Sequence, residues 1–410
     1  MKKAENLFYD VVYAIRKCRL LAASMVMMMA WSACSDDESP EPTPVWNDAC
    51  MLTDKDKLAM VHSLVDLEGD KGRIYEMTYD VDYRLDDALN FEIHDLASLK
   101  AFVARYLMDT IPAPRSVSLS YSSGCSAFAC PNKASGDYLM GRNFDFNHID
   151  PVTKERTMIP VIAVHTAPAG GKKSVSFVDG VFMDYEQGFF KDGKSDLSML
   201  MALPYVLLDG INEDGFAVSV LKLDGLNAEQ TVEGRKKIFT TVAMRMLLDK
   251  ASTVNEATEL LEQYNMNMDK DSASYHFFMA DATGDYAIVE YTNQHLDQHP
   301  NNMEVLRGND TLRYVTNFYV SPTMQNTKLG GGSKHGRDRY NILKNSLYEY
   351  NYIANPTQAM GILHSVAQGP EDSQLSTGFT QWSEIYNLSK KTVTMSILRE
   401  YGQTFEFDVD

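Results

Sequence analysis

Cysteine is scarce in this chain: five residues in 410, at positions 18, 34, 50, 125 and 130. So few thiols in so long a chain exclude a disulfide-built scaffold. Cys125 and Cys130 lie five apart with no further thiol or imidazole at ligand spacing, which argues against a zinc site. Basic runs are missing too. Lys and Arg total 38 against 56 Asp and Glu, a net charge of −18, and Lys172-Lys173 and Arg235-Lys236-Lys237 are only short patches. Nucleic acid is therefore excluded as a natural partner. None of the nine histidines sits in a recognisable catalytic context, and no protease signature surrounds a cysteine. There is no internal repeat and no coiled-coil heptad. With 44 % hydrophobic residues the chain still has ample material for a large core.

One apolar run stands out, Leu20 to Trp31, preceded by Arg16, Lys17 and Arg19. Twelve residues are too few to span a bilayer and suit the core of a signal peptide. The run ends in Trp31-Ser32-Ala33-Cys34, followed by Ser35-Asp36-Asp37-Glu38. This resembles a bacterial lipobox with an acidic export signal. The resemblance implies a lipoprotein signal peptide over 1–34 and lipid attachment at Cys34. It also implies export across the inner membrane to the cell envelope, with membrane contact through the N-terminal lipid only. Residues 35–47, polar and rich in proline, read as a tether.

Residues 48–124 carry helical signals. Thr53 and Asp56 suggest a capping box ahead of Leu58, Val61, Leu64 and Val65. A second helix is expected from Asp95, with Leu96, Leu99, Phe102, Val103, Tyr106 and Leu107 on one face, ending before Pro112. From 125 onward strands dominate, interrupted by helices over Ile238–Asp249 and after Thr253. Val393, Met395 and Ile397 alternate with Thr392, Thr394 and Ser396, which reads as a strand with one buried face. The sequence of strands, helices and strands predicts an α+β fold of two antiparallel sheets with helices outside.

The densest chemical signal is Gly124-Cys125-Ser126-Ala127-Phe128-Ala129-Cys130, then a turn, then Tyr138-Leu139-Met140-Gly141-Arg142-Asn143-Phe144-Asp145-Phe146. It reads as a hairpin whose first strand opens on a thiol and whose second brings an Arg and an Asp beside it. An N-terminal Cys would combine a nucleophile with an α-amine of pKa near 8, a suitable base. Gly124 would let the peptide before it adopt a conformation that other residues resist. Strand alternation sends Arg142 and Asp145 to opposite faces, so a bend after Asn143 is expected if both are to reach Cys125.

This pattern resembles the choloylglycine hydrolase group of N-terminal-nucleophile (Ntn) amide hydrolases. The long preceding segment is closer in plan to N-acylethanolamine acid amidase and to acyltransferases of the penicillin-biosynthesis type. The resemblance implies an αββα sandwich over 125–410 and a helical propeptide over 48–124. It also implies self-cleavage between Gly124 and Cys125, without a cofactor or metal. It makes Cys125, Arg142 and Asp145 catalytic. The segment Asp209-Gly-Ile-Asn212-Glu-Asp-Gly215 places Asn212 at the oxyanion, although the same residues suit a hairpin turn. Thr316-Asn317 resembles a further substrate-contacting pair, and Arg339 fits a later family arginine better than Arg337. Phe144, Phe146, Met183 and Phe189 are candidates for an apolar acyl pocket, with Phe182 and Phe190 nearby in sequence. The implied partner is a small acyl amide: a conjugated bile salt, penicillin V or an N-acyl amine or amino acid. An acyltransferase and a silent surface binding protein with the same fold stand as alternatives. Homo-oligomer formation and a Cys50–Cys130 pairing are left open.

Overall fold

Period-two alternation and β-branched runs put most of this chain into strands. The computed structural model describes residues 40–45, 52–69, 71–108, 123–149, 153, 155–183, 185, 190, 197–223, 229–268, 274–292, 302–308, 312–325, 334–369 and 378–409. The 1–34 leader with Cys34, and Cys50, Phe189 and the Pro112 helix stop, lie outside those residues. A boundary between Glu41 and Pro42 separates two compact units, and every element below belongs to the second.

In chain order the first strands are β1 (Thr43–Pro44), β2 (Val65–Asp66), β3 (Ile74–Tyr79), β4 (Ser123–Pro131), β5 (Tyr138–Phe146) and β6 (Val161–Thr166). There follow β7 (Ser174–Asp179), β8 (Asp209–Asn212), β9 (Ala217–Leu223), β10 (Lys236–Phe239), β11 (Tyr264–Asn267) and β12 (Ser274–Ala280). The last are β13 (Tyr286–Thr292), β14 (Asn302–Arg307), β15 (Tyr314–Val315), β16 (Thr380–Asn387), β17 (Thr392–Ile397) and β18 (Phe405–Asp408). Ten form one sheet in the order β1-β2-β3-β6-β7-β8-β9-β12-β13-β14, and six form a second, β15-β4-β5-β16-β17-β18. Neighbours in both sheets run antiparallel except β3 and β6.

The sheets lie face to face. The Phe177 ring on β7 sits 5.2 Å from Phe407 on β18 and 6.5 Å from Tyr386 on β16. Helices cover both outer faces. Thr240–Lys250 lies on β8, where a Cβ at Gly210 would come 2.9 Å from Leu248 Cδ1. On the other side, Leu343, Leu347 and Leu363 from helices Lys334–Glu349 and Pro356–Val366 bury Phe128 of β4 and Leu139 of β5. The expected helix–sheet–sheet–helix sandwich is therefore present.

Three expectations for the first 124 residues need correction. The segment 48–124 is not simply helical. It has helices Lys55–Val61, Leu85–Asn90 and Leu96–Tyr106, but β3 pairs with β6 over six residues, from Ile74↔Val161 to Tyr79↔Thr166. The segment thus adds two strands, β2 and β3, to the large sheet. The reason is local: Tyr75, Met77 and Tyr79 alternate at strand period and are all buried. Nor is 35–47 wholly a tether, because Thr43 and Pro44 pair with Asp66 and Val65, and Val45 is buried. The first helix cap is also one residue later than expected. Asp54, not Thr53, accepts from the Asp56 and Lys57 amides. Asp95 and Thr253 cap their helices as anticipated.

The early segment is bolted down by more than strand pairing. Tyr83 Oη donates to Asp249 Oδ2 at 2.6 Å, Asp249 pairs with Arg245 at 2.6 Å, and Tyr205 Oη donates to the Tyr83 carbonyl at 2.5 Å. These groups are buried, so each would be costly to leave unpaired.

Candidate active site

β4 and β5 pair without interruption from Ser123↔Phe146 to Pro131↔Tyr138. Unbroken pairing fixes which side chains share a face. Cys125, Ala127 and Ala129 join Met140, Phe144 and Phe146 in the core between the sheets. Phe128, Cys130 and Leu139 join the core under the outer helices. Arg142 belongs to the first face and Asp145 to the second. The bend expected after Asn143 is absent from β5. The irregularity lies instead on the neighbouring strand β16, between Thr380 and Trp382, opposite Asp145 and Phe144.

Both residues nonetheless attend Cys125, one from each face. On the inner face Arg142 NH2 lies 4.0 Å from Cys125 Sγ and donates to the Val220 carbonyl at 3.1 Å. Arg142 Nε pairs with Asp209 Oδ2 at 2.5 Å, both side chains being fully buried. On the outer face Asp145 accepts from Gln368 Nε2 at 2.6 Å and from Thr380 Oγ1 at 2.5 Å. It also lies 3.5 Å from Arg339 NH1.

Arg339 joins the two sides. Its NH1 donates to the Cys125 carbonyl at 2.6 Å and its NH2 to Asn317 Oδ1 at 2.6 Å. The same Asn317 Oδ1 accepts from the Cys125 amide at 2.5 Å, while Asn317 Nδ2 donates to the Lys222 carbonyl at 2.7 Å. These contacts form where β4 outruns its neighbour. β15 pairs only with Phe128 and Ala127, so the Cys125 amide and carbonyl need other partners. Arg337 lies elsewhere, its guanidinium 4.9 Å from the centre of the Phe318 ring.

Burial sets the electrostatics. It pushes the Cys125 thiol above its ordinary pKa, and the pull of Arg142 only partly offsets it. It also raises the Asp145 carboxyl above its usual range, against the pull of Arg339. With the Gly124–Cys125 peptide intact, the thiol is thus held as the neutral S–H.

Gly124 earns its place through space, not backbone conformation. It is not among the glycines of positive φ. A Cβ there would fall 2.2 Å from Gln368 Nε2 and 3.0 Å from Arg339 NH2. The amide that orients Asp145 occupies the room a side chain would take.

Asn212 is not part of this group. Its Nδ2 donates to the Leu248 and Ala251 carbonyls at 2.9 and 2.7 Å, and its Oδ1 accepts from the Asp214 and Phe216 amides, both at 3.1 Å. Both amide hydrogens are spent on a helix end. That speaks for the hairpin-turn reading over the oxyanion one. Asn212→Ala should therefore cost about 2–3 kcal/mol of stability, through buried backbone groups left unpaired. Turnover by the folded fraction should stay within a few-fold of the parent. Parallel thermal melts and active-site titrated kinetics separate the two, and a large kcat loss without a stability loss would restore the oxyanion role.

Phe144 stands directly across from Cys125 on β5. Its ring stacks on Phe146 at 5.7 Å, which meets Phe182 at 5.6 Å, and Phe182 is 40 % exposed. An aromatic ladder thus runs from the thiol to the surface. Met183 is buried in the main core. Phe190 packs on Tyr75 and Tyr185. Cys130 is a buried free thiol on the opposite face from Cys125, its pKa pushed up to about 12 by burial.

Gln368, Thr380, Asp209 and Glu384 escaped the sequence analysis. Gln368 follows a helix in no motif, and Glu384 looks like any strand residue. Asp209 did stand inside the quoted Asn212 segment, where its distance from Arg142 in sequence hid the pairing.

A family model described as linear amide C–N hydrolases, choloylglycine hydrolase family, matches residues 125–330. Among curated proteins, a penicillin V acylase from Pectobacterium atrosepticum is 28 % identical over 185 residues. That match covers 42 % of this chain and 48 % of the relative, so the chain spans about half the length of the curated relative. Among solved structures, a variant of the conjugated bile acid hydrolase from Clostridium perfringens is 17 % identical, with a TM-score of 0.46 over 69 % of this chain and 92 % of that one. A penicillin V acylase from Agrobacterium tumefaciens is 18 % identical, with a TM-score of 0.42 over 67 % and 83 %.

Proposed function

The chain belongs to the linear amide C–N hydrolases of the choloylglycine hydrolase family, and from that premise we propose a cysteine amidase that releases its own nucleophile. One observation carries the reading: Asn317, Arg339 and Arg142 contact the amide, carbonyl and sulfur of the single residue Cys125. A buried structural thiol has no use for two guanidiniums.

In the first step Cys125 Sγ attacks the Gly124 carbonyl carbon. The C–N bond to Cys125 breaks, its nitrogen takes up a proton, and water then hydrolyses the thioester. The free α-amine sits where the Cys125 amide now meets Asn317 Oδ1, which orients it. With a pKa near 8 it can take the Sγ proton during attack on a substrate amide and hand it to the departing amine. Water completes the cycle by releasing the acid from the acyl-thiol. The segment before the cut would remain in place, because β3 lies inside the large sheet.

The substrate class follows from the ladder Phe144–Phe146–Phe182, which suits an apolar acyl group on a linear amide. Conjugated bile salts, penicillin V and N-acyl amines all fit that description. Lipid attachment at Cys34 would then hold the enzyme at the cell envelope, with its substrate arriving in solution.

The test is a panel of such amides incubated with purified protein and followed by mass spectrometry. Release of free acid and amine from at least one class, by protein whose second fragment starts at Cys125, is the expected result. Transfer of the acyl group to an added amine in preference to water would favour an acyltransferase. An intact chain with no thiol-dependent turnover on any amide would leave only a binding protein.

A further inference from the structure

Behind Arg142 lies a second layer of buried charge that the amidase chemistry does not use. Glu384 stands directly across from Arg142, on β16. Asp209 reaches the same guanidinium from β8 in the other sheet. All three side chains are fully buried. One cation thus faces two carboxyls in a dry layer between the sheets. Two ionised carboxylates there would leave a net negative charge with no counterion, which is very costly.

The hydrogen-bond pattern says how that cost is avoided. Asp209 and Glu384 are close enough to hydrogen-bond each other. Trp382 and Tyr386 also reach Asp209, whereas Glu384 Oε1 is a buried oxygen with no hydrogen-bond partner among the described residues. The other Glu384 oxygen, Oε2, accepts from Tyr386 Oη at 2.9 Å. A proton on Glu384, donated to Asp209, gives Glu384 Oε1 a partner and makes the trio neutral. Asp209 keeps its charge because it holds the direct ion pair.

We propose that Glu384 is a positioning residue: as the neutral acid it hydrogen-bonds Asp209 and so fixes the Asp209–Arg142 pair that holds Arg142 at the Cys125 sulfur. This rests on the amidase reading for its effect on rate, though not for the proton itself. The electrostatics agree. Burial pushes Asp209 up to about 6 despite Arg142, and burial together with the Asp209 charge drives Glu384 well higher. The other ionisable neighbours are Tyr386 on the same strand, held neutral by burial, and the Cys125 thiol beyond Arg142. The residue across β17 from Glu384 is Met395, which carries no charge.

The sign follows. A carboxyl whose folded pKa is raised gives up its proton only as pH climbs through that value. Ionised Glu384 would then compete with Asp209 and Cys125 for Arg142. Activity should fall on the alkaline side for that reason.

Three variants test this. Glu384→Gln, which copies the neutral acid and cannot ionise, should keep kcat/KM within a few-fold of the parent at neutral pH. Its alkaline limb should move to higher pH. Glu384→Ala should lower kcat by about 10–100-fold with KM little changed, the cost of one buried unpaired group at the site. Asp209→Asn, which removes the direct ion pair, should lose at least as much as Glu384→Ala. Infrared spectroscopy of protein with isotope-labelled Glu reads the proton directly. A carboxylic-acid carbonyl band at neutral pH should be present in the parent chain and absent from Glu384→Gln. Absence of that band from the parent overturns the proposal, as does a Glu384→Gln loss equal to that of Glu384→Ala at every pH. If no amide is turned over, the pH dependence of Cys125 alkylation replaces kcat. The band with no turnover would sink the amidase reading and spare the shared proton, and turnover without the band the reverse.

Discussion

Replacing Cys125 by Ala should leave the chain in one piece and reduce amide turnover to background, a loss of up to about 10⁶-fold in kcat, as expected when the nucleophile of a covalent mechanism is removed. In the proposed mechanism one sulfur serves both reactions, so the two effects should coincide. The fold should survive. Cys125 is buried in the core between the sheets, directly across from Phe144, and losing a sulfur there leaves only a small void. A gel and intact mass would show the parent as two fragments, joined in solution, and the variant as one. Cys125→Ser is the informative companion: its hydroxyl is a far weaker nucleophile, so slow cleavage there with none in Ala would tie the cut to the side chain at 125. A Cys125→Ala chain that is still cut at 124 would assign the cleavage to a contaminating protease and dissolve the link between processing and turnover.

Arg339→Ala should damage stability and chemistry together. The guanidinium is buried and serves three partners: the Cys125 carbonyl, Asn317 Oδ1 and, at 3.5 Å, Asp145. Without it Asp145 becomes a buried carboxylate whose remaining partners are the neutral donors Gln368 and Thr380. Removing one member of a buried ion pair typically costs about 3–5 kcal/mol. The Asp145 carboxyl, already raised by burial, should rise further once its largest opposing influence is gone. The sign of the pH effect is then fixed. A carboxyl raised above its unfolded value destabilises the fold as pH climbs from the unfolded pKa to the folded one. The variant's deficit relative to the parent should therefore be small in acid and grow toward neutral pH. Self-cleavage should stall, because the Cys125 carbonyl and Asn317 lose their common donor. Arg339→Lys should recover part of the charge and little of the geometry, since an ammonium cannot serve three partners with a planar fork. Chemical denaturation at two pH values checks the first claim and the rate of fragment appearance the second. An equal deficit relative to the parent at both pH values would show that Asp145 does not depend on Arg339.

Much of this protein is written locally. The hairpin from Gly124 to Phe146 was legible because strand period, turn residues and an unusual Cys–Arg–Asp set fall within 23 residues of one another. The helix caps at Asp95 and Thr253 were legible for the same reason. Each rests on neighbours along the chain, and short-range hydrogen bonds decide them. The preference for Arg339 over Arg337 came from a family resemblance, and the structure brings Arg339, not Arg337, to Cys125.

What the tertiary structure alone decided has one physical origin: which groups are left without a partner when distant segments meet. Alternation along β5 says that Arg142 and Asp145 face opposite ways, but not that each face holds a part of the Cys125 site. That depends on β8 arriving on one side with Asp209 and on Gln368, Thr380 and Arg339 arriving on the other. Ile74–Tyr79 carries a strand pattern of its own amid helical spacing, but only its pairing with β6 makes it an inner strand of the large sheet. Asn212 stands in a sequence that fits two roles, and the unpaired carbonyls at the end of helix Thr240–Lys250 claim its side chain. Residue types and spacing in the sequence name a thiol and its candidate helpers. Only the packing of two sheets, which buries one cation against two carboxyls, decides which of them meet and which must keep a proton.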